Sequence, residues 1–471
     1  MEGNETVSHD VYRLAVLGGG PGGYVAALRA AQLGHDTADF RIALIEERQL
    51  GGTCLNRGCI PTKAMLDSVH VLTLARRAEE FGVKAANVEA DLGKMRERWE
   101  QITATQRKGV EGLLKRAKVE VIAGRGVLRD KNNIVVKGEG GERLVTADKI
   151  ILATGSEPFK LPGFDFDGKS VITSDDALHM ESIPAGILII GGGAIGCEWA
   201  GIFSELGSQV TVVEMMDQLL PSMDGDLAKE LLKSFKRAGI KVYLKTKVES
   251  VETGPAGLTA TLSGGEKIRI ERVLVSVGRK LNTDNIGLEA VGIATERKAV
   301  LINDHCRTSV PNIYAVGDIT GKLLLAHLAS AQGEVAAENA LGRDSTIDYK
   351  VVPSCIFTHP EIGSVGLTSE QAGKEGRNVK SAQYPFRPLG RARTLGALDG
   401  MFKIVADAET GEALGVHIIG ASASDLVAEA GLALRLQARV QDIAETIHAH
   451  PTLSEGIMEL TKLWLGRGIH A

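Results

Sequence analysis

Two cysteines in the stretch GGTCLNRGCIPTK, residues 51–63, stand where sulfur chemistry could be done. Cys54 and Cys59 are two of only five cysteines in 471 residues; the others are Cys197, Cys306 and Cys355. A zinc clasp wants four ligands, usually as close pairs, and no second Cys or Cys/His pair accompanies this one. A static structural disulfide suits an oxidising compartment, and an odd cysteine count behind a polar N-terminus, MEGNETVSHDVYR, does not look like an export framework. Two unrelated thiols and a redox pair remain. The redox reading carries a geometric condition. On a regular helix, residues five apart have α-carbons roughly 8–9 Å apart, whereas a disulfide needs them under about 7 Å. The pair closes only if Leu55-Asn56-Arg57-Gly58 departs from regular helix, and Asn and Gly supply that tolerance. Pro61 suits the first turn of a helix, which puts Cys59 near a helix N-terminus where a thiolate is stabilised. Lys63, four residues on, adds positive charge to the same face.

Two glycine clusters offer a second kind of chemistry. Gly18, Gly20 and Gly23 fit G-x-G-x-x-G, as do Gly191, Gly193 and Gly196. In such a motif the first glycine permits a tight turn out of a strand. The second lets backbone amides approach a pyrophosphate, and the third lets the following helix pack on the sheet. Each motif follows an apolar run, opens an Ala-rich segment, and is succeeded by an acidic residue that ends another strand pattern. Glu214 in VTVVE lies 23 residues after Gly191, the spacing expected for a ribose hydroxyl contact. Glu46 in IALIE lies 28 residues after Gly18, and GHDTADF reads as an insertion in the loop before that strand. Two dinucleotide sites suggest electrons passing between two bound dinucleotides. Glu214, followed by Met215 and Met216 rather than arginine, favours NAD over NADP at the second.

The elements that must position these groups alternate along the chain. Charged segments of helical periodicity fill residues 67–118, and short strand patterns follow as VEVIAGRGVL, NIVVKG and KIILATG. After the second glycine motif come VTVVE, IKVYLKTKVESVE, LTATLSG and VLVSVGR, then NIYAVGDIT and an Ala-rich helix from about Ala326. From Val351 the character shifts again, through SCIFTH, MFKIVAD and GVHIIG to helical segments near the C-terminus. Domain boundaries are expected near 150, 282 and 350. Net charge is −5 with Lys and Arg scattered, which is not a nucleic-acid footprint. No apolar run reaches the roughly 18 residues of a membrane helix. The expectation is a soluble, cytoplasmic α/β protein with no nucleic-acid or membrane partner.

GGTCLNRGCIPTK resembles the redox-active segment of the flavin-dependent pyridine nucleotide–disulfide oxidoreductases. The resemblance continues through ATG at 153–155, the second glycine motif, TSVPNIYAVGD at 308–318 and HAHPTLSE at 448–455, and so covers nearly the whole chain. It implies two Rossmann-like dinucleotide-binding domains plus a C-terminal α+β dimerisation domain. The FAD-binding domain with the redox disulfide would span 1–150, the NAD-binding domain 151–282, a central domain completing the FAD site 283–350, and the dimerisation domain 351–471. FAD would be held by Gly18, Gly20, Gly23, Glu46, Lys63, Gly155, Asp318 and Ala326, and NAD by Gly191, Gly193, Gly196, Glu214 and Gly278. Cys59 would lie beside the flavin and Cys54 would exchange with substrate. Lys63 would pair with Glu198.

His450, with Glu455 fixing its tautomer, would be the base, in preference to His448, and would reach the disulfide of the other subunit of a homodimer. By itself a histidine near a C-terminus is more often a surface residue, though it titrates in the range that thiol exchange needs. Within the family the combination is most similar to members that oxidise protein-bound dihydrolipoyl groups with NAD+. A dihydrolipoyl thiolate would attack Cys54, a mixed disulfide would resolve through Cys59 as the lipoyl ring closes, and the electrons would leave through FAD to NAD+. The partner would be a lipoyl-bearing protein of a 2-oxoacid dehydrogenase or glycine-cleavage complex. The alternatives are a reductase of another small disulfide, or an NADH-binding flavoprotein that docks or senses.

Overall fold

The computed structural model describes residues 9–34, 39–254 and 257–470. The first eight residues, and residues 35–38 of the segment read as an insertion, lie outside the described residues. The chain divides into two compact units: Met1–Met65 with Gly93–Phe159 and Arg279–Asp348, and Leu66–Leu92 with Lys160–Gly278 and Tyr349–Ala471.

The first unit is built on a seven-stranded sheet. Strand His9–Leu17 lies between Ile42–Glu46 and Gly141–Leu152, parallel to both, and Glu120–Ala123 extends the parallel row. The long strand Gly141–Leu152 also takes Ile313–Ala315 alongside its end, from more than 160 residues away, through Ile150↔Ile313. Alternate residues feed opposite faces. Leu14 and Val16 pack with Ala26, Ala27, Ala30, Ala336 and Ala337, while Ala15 and Leu17 pack with Ile134, Val136, Ile286 and Leu288. Both faces are covered, so the strand reads LAVL without polar alternation. On one face, helices Pro21–Gly34 and Ala326–Ala340 cross closely because small residues meet there. A Cβ on Gly333 would lie 2.4 Å from the Gly22 carbonyl oxygen.

Beside a three-stranded antiparallel sheet of Val248–Gly254, Gly257–Leu262 and Lys267–Ile270, the second unit holds two five-stranded sheets. One is fully parallel, in the order Lys241–Tyr243, Gln209–Val213, Gly186–Ile190, Arg272–Val275, Val171–Ile172. The other is antiparallel, in the order Ser354–Ile356, Glu361–Gly366, Ala413–Gly420, Met401–Asp407, Val379–Pro385. Helices Ala423–Arg435 and Glu455–Trp464 pack on it through Val427, Ala430, Ile457 and Leu460. A buried ion pair ties the two together. Lys403 on the antiparallel sheet donates to Asp224 at 2.8 Å and to Asp226 at 2.7 Å. Asp224 in turn caps helix Gly225–Arg237 by accepting from the Asp226 N–H. The long helical segment expected over 67–118 is interrupted: one helix ends at Arg76 and the next runs Leu92–Arg116. Gly82, with φ of +74°, closes the turn between them.

Two glycines in helices separate packing from propensity. Gly333→Ala puts a methyl against the Gly22 carbonyl and should destabilise by about 1–3 kcal/mol. Gly431→Ala, where nothing lies within 4 Å of the new Cβ, should instead stabilise by about 0.5–1 kcal/mol. Thermal unfolding of the two variants beside the parent reads out the opposite signs.

Candidate active site and dinucleotide sites

The cysteines sit on either side of a break. Cys54 rides a short helix, Gly52–Asn56, and Cys59 opens the next, Cys59–Arg76. Arg57 adopts φ −143° and ψ 0°, which leaves the helical region and turns the chain back. Asn56 holds that turn from inside. It is buried, its amide donates to the carbonyls of Leu50 and Gly52 at 2.9 Å each, and its oxygen accepts from Arg107 at 3.0 Å.

The two sulfurs are in hydrogen-bonding contact. The hydrogen bond to Cys59 and then burial push the Cys54 thiol far up, while Lys63 and the Cys59 N–H pull the other way with less effect. Cys59 lies at a helix N-terminus, where negative charge is favoured. Burial raises the Tyr24 phenol.

The two glycine loops are built alike. Gly18 and Gly191 have φ of +111° and +104°, and a Cβ on either would strike the carbonyl oxygen of Ala153 or Ser276. A Cβ on Gly23 or Gly196 would lie 1.8 or 2.0 Å from the carbonyl oxygen of the first glycine. These four positions serve chain packing. The middle glycines do not: nothing comes nearer than 3.8 Å to a Cβ on Gly20, and nothing lies within 4 Å at Gly193. That open backbone at a helix start is the cradle a pyrophosphate fits.

Each loop is held by its glutamate. Glu46 accepts from the Gly19 N–H at 2.6 Å and the Arg48 N–H at 2.7 Å. Glu214 accepts from Gly192 at 2.6 Å and Met216 at 2.8 Å. The long spacing before Glu46 thus leaves the same carboxylate-to-loop geometry as at Glu214. Each carboxylate oxygen has a second lone pair, so both sites fit a ribose diol. Met215 and Met216 are exposed and bring no cation to the second site.

Further along, Gly155 and Gly278 have φ of +71° and +124° with no atom within 4 Å of an added Cβ. Asp318 accepts from the Ser156 hydroxyl at 2.5 Å, and Arg279 donates to that hydroxyl at 2.7 Å and to the Ser156 carbonyl at 2.8 Å. Ala326 is the first residue of helix Ala326–Ala340, whose N-cap Leu325 makes no side-chain cap hydrogen bond. Ser156 and Arg279 are absent from the sequence reading. The available signal was their adjacency to ATG and VG, since each follows its glycine directly. Glu198 is buried in helix Ala194–Glu205 and accepts from the Phe357 N–H at 3.0 Å.

At the C-terminal end the geometry distinguishes two histidines. The His448 side chain is 5% exposed, with Nδ1 at 2.9 Å from the Thr446 carbonyl and Nε2 at 2.8 Å from Glu429. Both of its nitrogens are spent. His450 has its side chain 75% exposed and engages only Nδ1, at 2.8 Å from Glu455. That contact leaves Nε2 as the basic nitrogen. Burial alone would raise the Glu455 carboxyl, but the Thr452 N–H and His450 outweigh it and hold it below the ordinary carboxylate range. Among the described residues no three His, Cys, Asp or Glu side chains are grouped to hold a metal. No described helix is long and apolar enough to cross a membrane.

The chain is similar to known proteins over nearly its whole length. Residues 12–333 match the family described as pyridine nucleotide-disulphide oxidoreductase, and residues 352–461 match its dimerisation domain. The dihydrolipoyl dehydrogenase of Thermus scotoductus is 44% identical over 98% of each chain. One from Bacillus subtilis is 42% identical over 98% of this chain and 99% of its own. Among solved structures, LpdA of Mycobacterium tuberculosis superposes with a TM-score of 0.90 at 31% identity, covering 96% of this chain and 99% of its own. RclA of Escherichia coli, an HOCl-induced flavoprotein disulfide reductase, gives 0.85 at 26% identity over 96% and 99% of the two chains.

Replacing Glu214 with alanine leaves the Gly192 and Met216 amides without their acceptor and removes the carboxylate that fits a ribose diol. NADH affinity should fall about tenfold or more, measured by nucleotide fluorescence titration. Flavin content should be unchanged, because Glu46 serves the other loop.

Proposed function

The chain belongs to the pyridine nucleotide-disulphide oxidoreductases, and on that premise we propose that it oxidises dihydrolipoyl groups carried by another protein and reduces NAD+. The observation that carries the reading is the break at Arg57 and Gly58, which brings two cysteines from separate helices into hydrogen-bonding contact, with Cys59 at the start of its helix. A structural pair needs no such asymmetry, and a pure nucleotide binder needs neither cysteine. FAD and NAD are the cofactors. FAD is held at Gly18, Gly20, Gly23, Glu46, Gly155, Asp318 and the start of the Ala326 helix, and NAD at Gly191, Gly193, Gly196, Glu214 and Gly278. When bound, FAD supplies the two-electron redox step between the dithiol and NAD+.

The residues of the chain divide the sulfur chemistry. His450 Nε2 takes a proton from one dihydrolipoyl thiol, and Glu455 stabilises the imidazolium that results. The substrate thiolate attacks the Cys54 sulfur of the oxidised pair, the Cys54–Cys59 bond breaks, and Cys59 leaves as thiolate at its helix N-terminus. The second substrate thiol, deprotonated in turn, attacks its neighbour in the mixed disulfide and displaces Cys54. The lipoyl disulfide forms, and Cys54 takes up the proton that its high thiol pKa favours. Lys63 keeps positive charge on the face of the Cys59 helix, and Glu198 completes the expected set.

The dimerisation-domain match supports a homodimer. In it, His450 and Glu455 of one copy serve the cysteines of the other. A lipoyl-bearing component of a 2-oxoacid dehydrogenase or glycine-cleavage complex is the partner this chemistry fits. A disulfide that must cycle rather than persist suits the reducing cytoplasm.

The test is anaerobic turnover of FAD-loaded protein with dihydrolipoamide and NAD+, run beside glutathione disulfide and NADPH. Rapid NADH formation with little NADPH consumption supports the reading, and the reverse pattern sinks it. In the same assay His450→Gln should lower kcat by about 10²–10⁴-fold. Glu455→Gln should cost less.

A further inference from the structure

Helix Leu92–Arg116 turns a buried stripe inward through Trp99, Thr103, Val110 and Leu114. Helical spacing puts one more residue on that stripe between Thr103 and Val110, and it is Arg107. A long cation on the inward face of an amphipathic helix needs a partner. Arg107 Nη1 donates to Asn56 Oδ1 at 3.0 Å, which uses one of its five N–H donors.

The same side chain lines a cavity of about 320 Å³ together with Glu46, Arg48, Leu50, Glu111 and Val121. Glu46 identifies this cavity as the ribose end of the first dinucleotide site. Arg107 therefore has one end of its fork on that cavity and the other on the residue that folds the Cys54 helix. Backbone contacts close the circuit. Gly51 N–H donates to the Gly19 carbonyl at 2.8 Å, Gly19 N–H donates to Glu46, and Asn56 holds the carbonyls on either side of Gly51.

We propose that Arg107 is a positioning residue that couples occupation of the adenosine half of the first site to the geometry of the Cys54 helix through Asn56. The inference rests on reading the first glycine loop as the FAD site. With the dinucleotide in place, the remaining N–H groups of Arg107 meet its ribose and phosphate acceptors. The guanidinium is then fixed, and the Arg107–Asn56 bond sets how Cys54 is presented. Without the dinucleotide only the Asn56 contact orients the side chain, and the Cys54 helix loses one restraint.

The full-length holoenzyme is compared with Arg107→Met and Arg107→Lys in two measurements. These are the rate of FAD release on dilution and the pH profile of iodoacetamide alkylation at Cys54 after reduction with dithiothreitol. The methionine variant should release FAD about tenfold faster, the worth of one charge-assisted hydrogen bond. Its Cys54 alkylation rate at fixed pH should change by about threefold or more, and the lysine variant should recover part of both effects. Faster FAD release with an unchanged alkylation profile overturns the coupling, as does no change in either. A parent chain that takes up no FAD overturns the underlying reading as well, whereas a defect confined to the variants bears on Arg107 alone.

Discussion

Each nucleotide loop depends on one carboxylate receiving two main-chain N–H groups. Glu46 and Glu214 each stand at the end of a strand and accept from the residue after the first glycine and from the residue two past the glutamate itself. The bonds are short and charge-assisted, each worth about 1.5–3 kcal/mol. They pull the loop down onto the strand end, so the first and third glycines must tolerate carbonyl oxygens at distances no side chain allows. The middle glycine is left facing open space. The nucleotide cradle is thus a by-product of satisfying backbone donors.

In the first unit the same loop is continuous with the sulfur chemistry. The Gly19 carbonyl accepts from Gly51, one residue ahead of the helix that bears Cys54. The helix break after Asn56 then separates two roles that a single helix could not. Cys54, hydrogen-bonded to its partner and partly buried, has its thiol pKa pushed up. Cys59 begins a helix, where negative charge is favoured. The asymmetry comes from backbone direction, and the sulfurs themselves are identical.

The legible parts of the sequence were those set by short-range geometry. The glycine motifs, the strands ending in Glu46 and Glu214 and the helix beginning at Cys59 all depend on neighbours within about thirty residues. Glu46 was legible even at a long spacing, because the apolar run IALI marks the strand it ends. What the sequence did not disclose depends on distant segments meeting. Ser156 and Arg279 are 123 residues apart, and nothing local says that they share Asp318. The split of residues 67–118 into two helices was hidden because the charged pattern runs through Phe81 and Gly82 without a proline. Arg107 lies in phase with an apolar stripe, but only Asn56 and a cavity from other segments explain it.

The buried Lys403 has a consequence for how the chain can be divided. Asp224 and Asp226 sit beside the nucleotide-type sheet, and Lys403 lies on the antiparallel sheet that follows it. Sequence profiles draw a border between them near residue 350. Cutting there would leave a cation on one fragment and two carboxylates on the other, one of them also the cap of a helix. Each fragment would expose or bury an unmatched charge. The segment that looks most like a detachable module is therefore not an independent one. Gene fusions, truncations and domain exchanges in this chain have to carry both banks of that ion pair together.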